Sequence, residues 1–199
     1  MGKHETSYRR VRRDLYPTPA WPIDVLDAHI PSGPLKGASV WEPAAGSGSM
    51  VRALRARGAR VFASDVVKRN GCRLDAVLDF VSDPPPARYR FDLICTNPPF
   101  GQGGRLALAF IEAGLERLDR YSTLALLLPC DFDSGVTRTH VFGDCRHFQG
   151  KIVLRKRIVW FERADGIREA PKENSAWFLW YRRPNKGPRS LPPTILYGP

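Results

Sequence analysis

The sequence predicts an α/β domain: a mostly parallel sheet with helices on both faces. Three observations carry this. Short apolar runs alternate with amphipathic stretches, the pattern of strands joined by crossover helices. Several of those runs are apolar almost without interruption, as strands buried on both faces are. The first run also passes through a glycine turn directly into a helix. At 199 residues with 43% hydrophobic content, the chain is long enough for one substantial core and too short for two ordinary domains with linkers.

Residues 1–15 are polar and arginine-rich, with RRVRR at 9–13, and read as a flexible basic arm. The ordered domain is expected over 16–182. A helix should follow Pro19, then a strand at Ala38–Trp41 and a helix over Ser47–Arg57. In that helix Met50, Val51 and Leu54 face inward, Arg52 and Arg55 face outward, and Gly58 closes it. Further strands are expected at Arg60–Ser64, Leu74–Leu78, Phe91–Cys95 and Thr123–Leu128, the last three as buried parallel strands. SDPPPARYR is too short and too proline-broken for a helix, so that crossover reads as a loop. Gly104–Leu118 is the best-defined helix, with Leu106, Ala107, Phe110, Ala113 and Leu118 at helical spacing. KIVLRKRIVWFE and SAWFLWYRR read as two longer strands, an antiparallel pair finishing the sheet. The proline- and charge-rich stretch 183–199 reads as an irregular tail.

The net charge of +11 attracts polyanions, and arginine grips phosphate in two-pronged geometry. A basic proteome would produce the same charge, so charge alone does not identify a partner. No run is long and apolar enough to span a membrane, and none follows the basic N-terminus to make a signal peptide, which points to the cytoplasm. Cys72, Cys95, Cys130 and Cys145 form no CxxC pair, and His140 and His147 near Cys145 match no metal spacing; neither a disulfide framework nor a metal site is expected.

Three segments carry chemistry. In VWEPAAGSGSM a strand enters a turn with Gly46 and Gly48, then a helix. Ligands of open parallel sheets bind at such strand ends. The third glycine of a dinucleotide motif is missing, and no GK[ST] follows as in a phosphate loop. Glu42 there would repel a pyrophosphate and suit a cationic ligand. Next, Asp65 falls just past the second strand, where a carboxylate can accept ribose hydroxyls, and Asp79 just past the third, where it could take an adenine amino group with Phe80 against the ring. Third, TNPPF at 96–100 follows FDLIC. Its prolines stiffen the backbone and remove amide donors. An exocyclic amine is a weak nucleophile because its lone pair is delocalised into the ring. A catalyst must therefore hold both N–H bonds, and the Asn97 side-chain oxygen and the Pro98 carbonyl are acceptors suited to that. Phe100 can stack on a base drawn out of its helix.

WEPAAGSG, Asp65, Asp79-Phe80 and NPPF, in that order, resemble the class I S-adenosylmethionine-dependent amino-methyltransferases, most closely the adenine-N6 group and its small phage or prophage members. The resemblance runs from about Tyr16 to Trp180, with LLLPCDF similar to the segment after the fifth strand and ENSAWFLW to the closing strand. It implies a Rossmann-like seven-stranded sheet with an antiparallel C-terminal strand. It also implies S-adenosylmethionine as cofactor, held by Thr18, Pro19, Glu42, Ala44, Gly46, Gly48, Asp65, Asp79, Phe80 and Asn97, and a catalytic turn of Asn97, Pro98, Pro99 and Phe100. DNA adenine N6 is the implied target. RNA adenine, a protein glutamine, or a catalytically silent nucleic-acid-binding role are the alternatives. No separate target-recognition domain is legible, so gripping falls to the basic surface, the 9–13 arm and the GQGGR loop at 101–105, or to a separate specificity partner. The glycines of that loop suggest a mobile closure or a plain flexible linker. Oligomeric state is not legible.

Overall fold

The computed structural model describes residues 17–84, 87–160, 173–183 and 193–198. One sheet of eight strands organises it. The strands are β1 (Ser39–Glu42), β2 (Arg60–Asp65), β3 (Ala76–Val77), β4 (Leu93–Thr96), β5 (Thr123–Pro129), β6 (Phe148–Leu154), β7 (Ser175–Tyr181) and β8 (Thr194–Gly198), in the spatial order β3-β2-β1-β4-β5-β7-β6-β8. β7 runs antiparallel to both neighbours, and the other pairings are parallel. Three helices pack on it: α1 (Trp21–Asp27), α2 (Ser49–Ala56) and α3 (Arg105–Arg117). The predicted mixed α/β sheet with an antiparallel strand near the C-terminus is what forms.

The alternation of the central strands explains the two cores. In β5, Leu124, Leu126 and Leu128 join a cluster with Trp41, Phe110, Phe178 and Trp180, while Ala125 and Leu127 join one with Ile23, Leu26, Met50, Leu54 and Trp177. Both faces are covered, so a period-two strand reads as a continuous apolar run. Three buried indoles are satisfied: Trp41 Nε1 donates to Ser64 Oγ at 2.9 Å, Trp177 Nε1 to the Pro22 carbonyl at 2.8 Å and Trp180 Nε1 to the Val141 carbonyl at 2.6 Å.

Four expectations need correction. The third strand shrinks to two residues and is not buried, because it is the sheet edge and Val77 is exposed. Leu106 lies on the outer side of α3, where its first turn overhangs the 101–104 loop, rather than in the core. The strand expected through KIVLRKRIVWFE begins earlier, at Phe148, and stops at Leu154. The stretch expected to be irregular supplies β8, an eighth strand parallel to β6. That pairing is very close: a Cβ on Gly150, whose φ is 134°, would fall inside the Thr194 backbone. The basic arm at 1–15, Tyr16 and residues 184–192 of the tail lie outside the described residues. No helix among the described residues is long and apolar enough to cross a membrane.

Candidate active site at the carboxyl ends of β1 and β4

The strand order reverses between β1 and β4: the chain first builds outward through β2 and β3, then returns to β1's other side to place β4. The crevice of an open parallel sheet opens at such a point, beyond the carboxyl ends of the strands. On one side of it stands the glycine turn 43–48, and on the other the turn 97–100.

The glycine turn is held by the acids around it. Gly48 adopts a left-handed conformation (φ 78°) to start α2, and a Cβ there would sit 2.9 Å from both Cβ and Sγ of Cys72. Asp65, almost fully buried, accepts the Gly46 N–H through Oδ2 at 2.9 Å and the Val67 N–H through Oδ1 at 3.0 Å. Arg52 braces the same turn by donating to the carbonyls of Ser47 and Gly71. The first intrahelical bond runs from Arg52 N to Gly48 O, so the N–H groups of Ser49, Met50 and Val51 precede it. Ala44 is half-buried within the turn.

Glu42 is only 1% exposed, and its Oε1 accepts the Ala44 N–H at 3.0 Å. Burial pushes its carboxyl up to about 8, opposed by the Thr96 side chain and the Ala44 amide and helped by the charge of Asp65. At neutral pH it is mostly a protonated, neutral group, which corrects the expectation of an open negative charge. Beside it lies the fully buried side chain of Thr96.

At the end of β3, Asp79 is exposed and caps its own turn, Oδ1 accepting the Val81 N–H at 2.9 Å. Phe80 does not face the crevice. Its ring is 1% exposed and packs edge-on against Trp41 (centroids 4.9 Å) and against Phe110 (5.0 Å). Those partners come together only when β1 and α3 assemble, which a reading of the Asp-Phe pair in isolation misses. An apolar side chain exposed beside these acids is Val66, which directly follows Asp65. In the sequence it passes for the last residue of a strand; the signal available was an apolar residue one step beyond a strand-end acid.

Across the crevice, Asn97 Nδ2 donates to Thr18 Oγ1 at 3.3 Å, joining two predicted site residues from distant parts of the chain. The amide oxygen of Asn97 lies on its other branch. The Pro98 carbonyl accepts no hydrogen bond from the described residues. Pro98 is buried, and Pro19, Pro99 and Phe100 are half-buried. The Phe100 carbonyl receives the N–H groups of Leu106 and Ala107, so the turn leads directly into α3.

The loop after β5 forms a wall that the sequence reading did not identify. The Phe132 ring meets Phe100 edge-on at 6.1 Å, and the Arg138 guanidinium lies 3.9 Å from the Phe132 ring centre. Arg138 also donates to the carbonyls of Phe132 and Gly103. The GQGGR segment is therefore a tight turn pinned by Arg138. Gly101, Gly103 and Gly104 all have positive φ, so their glycines serve conformation. Lys151 supports the wall from β6, donating to both Asp133 oxygens and to the Cys130 carbonyl, each at 2.8 Å.

Among the predicted residues, then, Thr18 and Asn97 are in contact, and Asp65 and Gly46 are in contact across the glycine turn. Asp79 stands at the neighbouring strand end, and Phe80 is withdrawn into the core.

No protein-family model and no curated protein matches this sequence. Solved structures do resemble it in fold. A candidate RNA methyltransferase of Pyrococcus horikoshii superposes with a TM-score of 0.63 at 14% identity, covering 88% of this chain and 92% of that one. A candidate class I S-adenosylmethionine-dependent methyltransferase of Listeria monocytogenes gives 0.58 at 16%, over 89% of this chain and 61% of that one; this chain thus spans about three fifths of its length. A guanine-N2 methyltransferase of 16S ribosomal RNA from T. thermophilus, solved with S-adenosylmethionine and guanosine, gives 0.51 at 18%, over 89% and 45%. The chain has the Rossmann-like fold of the class I S-adenosylmethionine-dependent methyltransferases.

Proposed function

We propose that this chain transfers a methyl group from S-adenosylmethionine to the N6 amino group of adenine in DNA. The observation that carries the reading is the pair of acceptors, Asn97 and the Pro98 carbonyl, set opposite the glycine turn at the topological switch point, with Asn97 oriented by Thr18.

The residues fit the cofactor. Exposed Asp79 can accept an adenine amino group, Val66 replaces Phe80 as the apolar surface beside the ring, and Asp65, at the end of β2, is the carboxylate offered to the ribose. Thr18, Pro19, Glu42, Ala44, Gly46 and Gly48 border the methionine part, and the buried Thr96 side chain lies beside Glu42. Bound there, S-adenosylmethionine supplies an electrophilic sulfonium methyl.

The protein's own part is placement. Asn97 Oδ1 and the Pro98 carbonyl each accept one N–H of the target amine, drawing its lone pair out of conjugation and toward the methyl. With the cofactor bound, its methyl would pass from sulfur to the nitrogen held by Asn97 and Pro98, which would then release one proton to solvent. Pro98 and Pro99 keep the carbonyl fixed without a competing amide donor. Phe100, backed by Phe132, offers a ring on which the extruded base can stack. The net charge of +11 supports a nucleic-acid substrate. The likeness to the T. thermophilus enzyme keeps RNA as the second reading.

The test is transfer of labelled methyl from S-adenosylmethionine to double-stranded DNA, single-stranded DNA, ribosomal RNA and a glutamine-bearing protein, with Asn97→Ala alongside. Label in DNA that the variant fails to transfer supports the reading. Label only in RNA or protein replaces the substrate, and a wild-type protein that binds no cofactor overturns the enzyme.

A further inference from the structure

Three consecutive cations, Arg155, Lys156 and Arg157, follow β6 directly, and all three are exposed. The topology sets them at the same edge of the sheet as the crevice. β7 runs antiparallel to both β5 and β6, so β6 runs in the direction of β5, β4 and β1, and its carboxyl end lies with theirs.

Contacts tie this turn both to the segment that holds Asn97 and to the loop after β5. Lys156 Nζ lies 5.5 Å from the centre of the Trp21 ring. Trp21 opens α1 three residues after Thr18, a span of at most about 11 Å, and Thr18 Oγ1 accepts Asn97 Nδ2. Arg157 Nε donates to Asn174 Oδ1 at 2.8 Å, and the Asn174 carbonyl accepts the N–H of Cys130, two residues before Phe132, at 3.0 Å. The ring and the amide are neutral, so they orient these cations without cancelling their charge. Among the described residues no carboxylate pairs with Arg155 or Lys156. The acids of the adjoining elements are engaged elsewhere: Asp24 of α1 pairs with Arg57, Asp27 accepts the Leu35 N–H, and Asp133 pairs with Lys151. Even with Glu173, exposed beside Asn174, the turn keeps a net positive charge.

We propose that the 155–157 turn is a phosphate-contact site: it holds the sugar-phosphate backbone of the nucleic-acid strand whose base is presented to Asn97. This rests on the reading of the site as a nucleic-acid methyltransferase. Cations that neutralise phosphates release the counterions condensed on the strand, and the arginine fork matches phosphate oxygens. Contacts of this kind fix the register of a strand without reading its sequence. Position distinguishes this turn from the other cations of the surface. Arg60, Arg88 and Arg120 are exposed as well, but they stand at or before the starts of β2, β4 and β5, at the opposite edge of the sheet, where a bound strand would not lead to the acceptors.

The test compares two triple variants that remove the same charge, Arg155→Gln/Lys156→Gln/Arg157→Gln and Arg60→Gln/Arg88→Gln/Arg120→Gln. Binding of fluorescein-labelled duplex DNA, single-stranded DNA and RNA of one sequence is followed by anisotropy over a range of salt, alongside methyl transfer. On the polymers that the wild-type protein binds, the 155–157 variant should flatten the slope of log Kd against log salt by about 2 to 3 and raise the KM for nucleic acid about tenfold or more, with cofactor Kd within about twofold. The opposite-edge variant should change the slope by less than about 1. The double variant Arg155→Gln/Lys156→Gln keeps the Arg157–Asn174 bond and should still flatten the slope by about 2, which separates lost phosphate contacts from a disturbed fold. Equal losses in the two triple variants, or no loss in the 155–157 variant, overturn the phosphate site and leave the methyltransferase reading intact. A wild-type protein that binds nucleic acid through this turn and transfers no methyl overturns the methyltransferase reading instead, and one that binds no nucleic acid overturns both.

Discussion

Replacing Glu42 by glutamine isolates the effect of burying a carboxyl under the glycine turn. The group is 1% exposed, and its carboxyl lies at about 8 instead of 4.5. Ionisation inside the fold thus costs roughly 5 kcal/mol more than in the unfolded chain. Because the folded value is raised, its contribution to stability is complete below pH 4.5, where both states are protonated. It is lost as pH climbs toward 8, since the unfolded chain has ionised and the folded one has not. The loss is about 1.4 kcal/mol per pH unit through most of that window. Glutamine keeps an oxygen for the Ala44 N–H and has no proton to lose. Between about pH 5.5 and 7.5 the wild-type protein should therefore lose roughly 2–3 kcal/mol more stability than Glu42→Gln. Urea unfolding of both proteins at several pH values measures this difference, and groups common to both cancel from it. Parallel stability curves would show that the carboxyl is already ionised in the fold and that the burial argument is wrong.

Three further outcomes follow from the same geometry. Asn97→Ala should lower the rate of transfer at saturating cofactor by about a hundredfold or more, read from single-turnover transfer. Gly48→Ala forces a left-handed alanine against Cys72 and should cost roughly 2 kcal/mol in urea unfolding while weakening cofactor binding in calorimetry. Trp41→Ala removes the ring that packs against Phe62, Phe80 and Phe91 and leaves Ser64 Oγ without its donor; a loss of about 3–5 kcal/mol in denaturant unfolding is expected.

The parts of this molecule that follow local rules were legible from residue order alone. The apolar runs of β4 and β5 and the helix ended by Gly58 were readable, and the spacing of Gly46, Asp65, Asp79 and Asn97 sets these residues just at or beyond the carboxyl ends of β1 to β4. What depended on the assembled sheet was not. Whether Phe80 faces a ligand or the core is decided by Trp41 and Phe110, which are far from it in sequence. Thr194–Gly198 ends a stretch whose proline and charge content reads as an irregular tail, until β6 offers an open edge and Gly150 allows the close approach. The glycines at 101–104 read as freedom, yet the Arg138 contacts show a turn that needs positive φ. Glu42 read as a negative charge because burial, which neutralises it, leaves no local mark in the sequence.

The most direct measurement is the identity of the methylated nucleoside. DNA incubated with the protein and S-adenosylmethionine, then digested and analysed by mass spectrometry, should contain N6-methyladenine, absent when Asn97→Ala replaces the wild-type protein. Methyl on a ring carbon, or N6-methyladenine formed equally well by the variant, would contradict catalysis by the two acceptors at the end of β4.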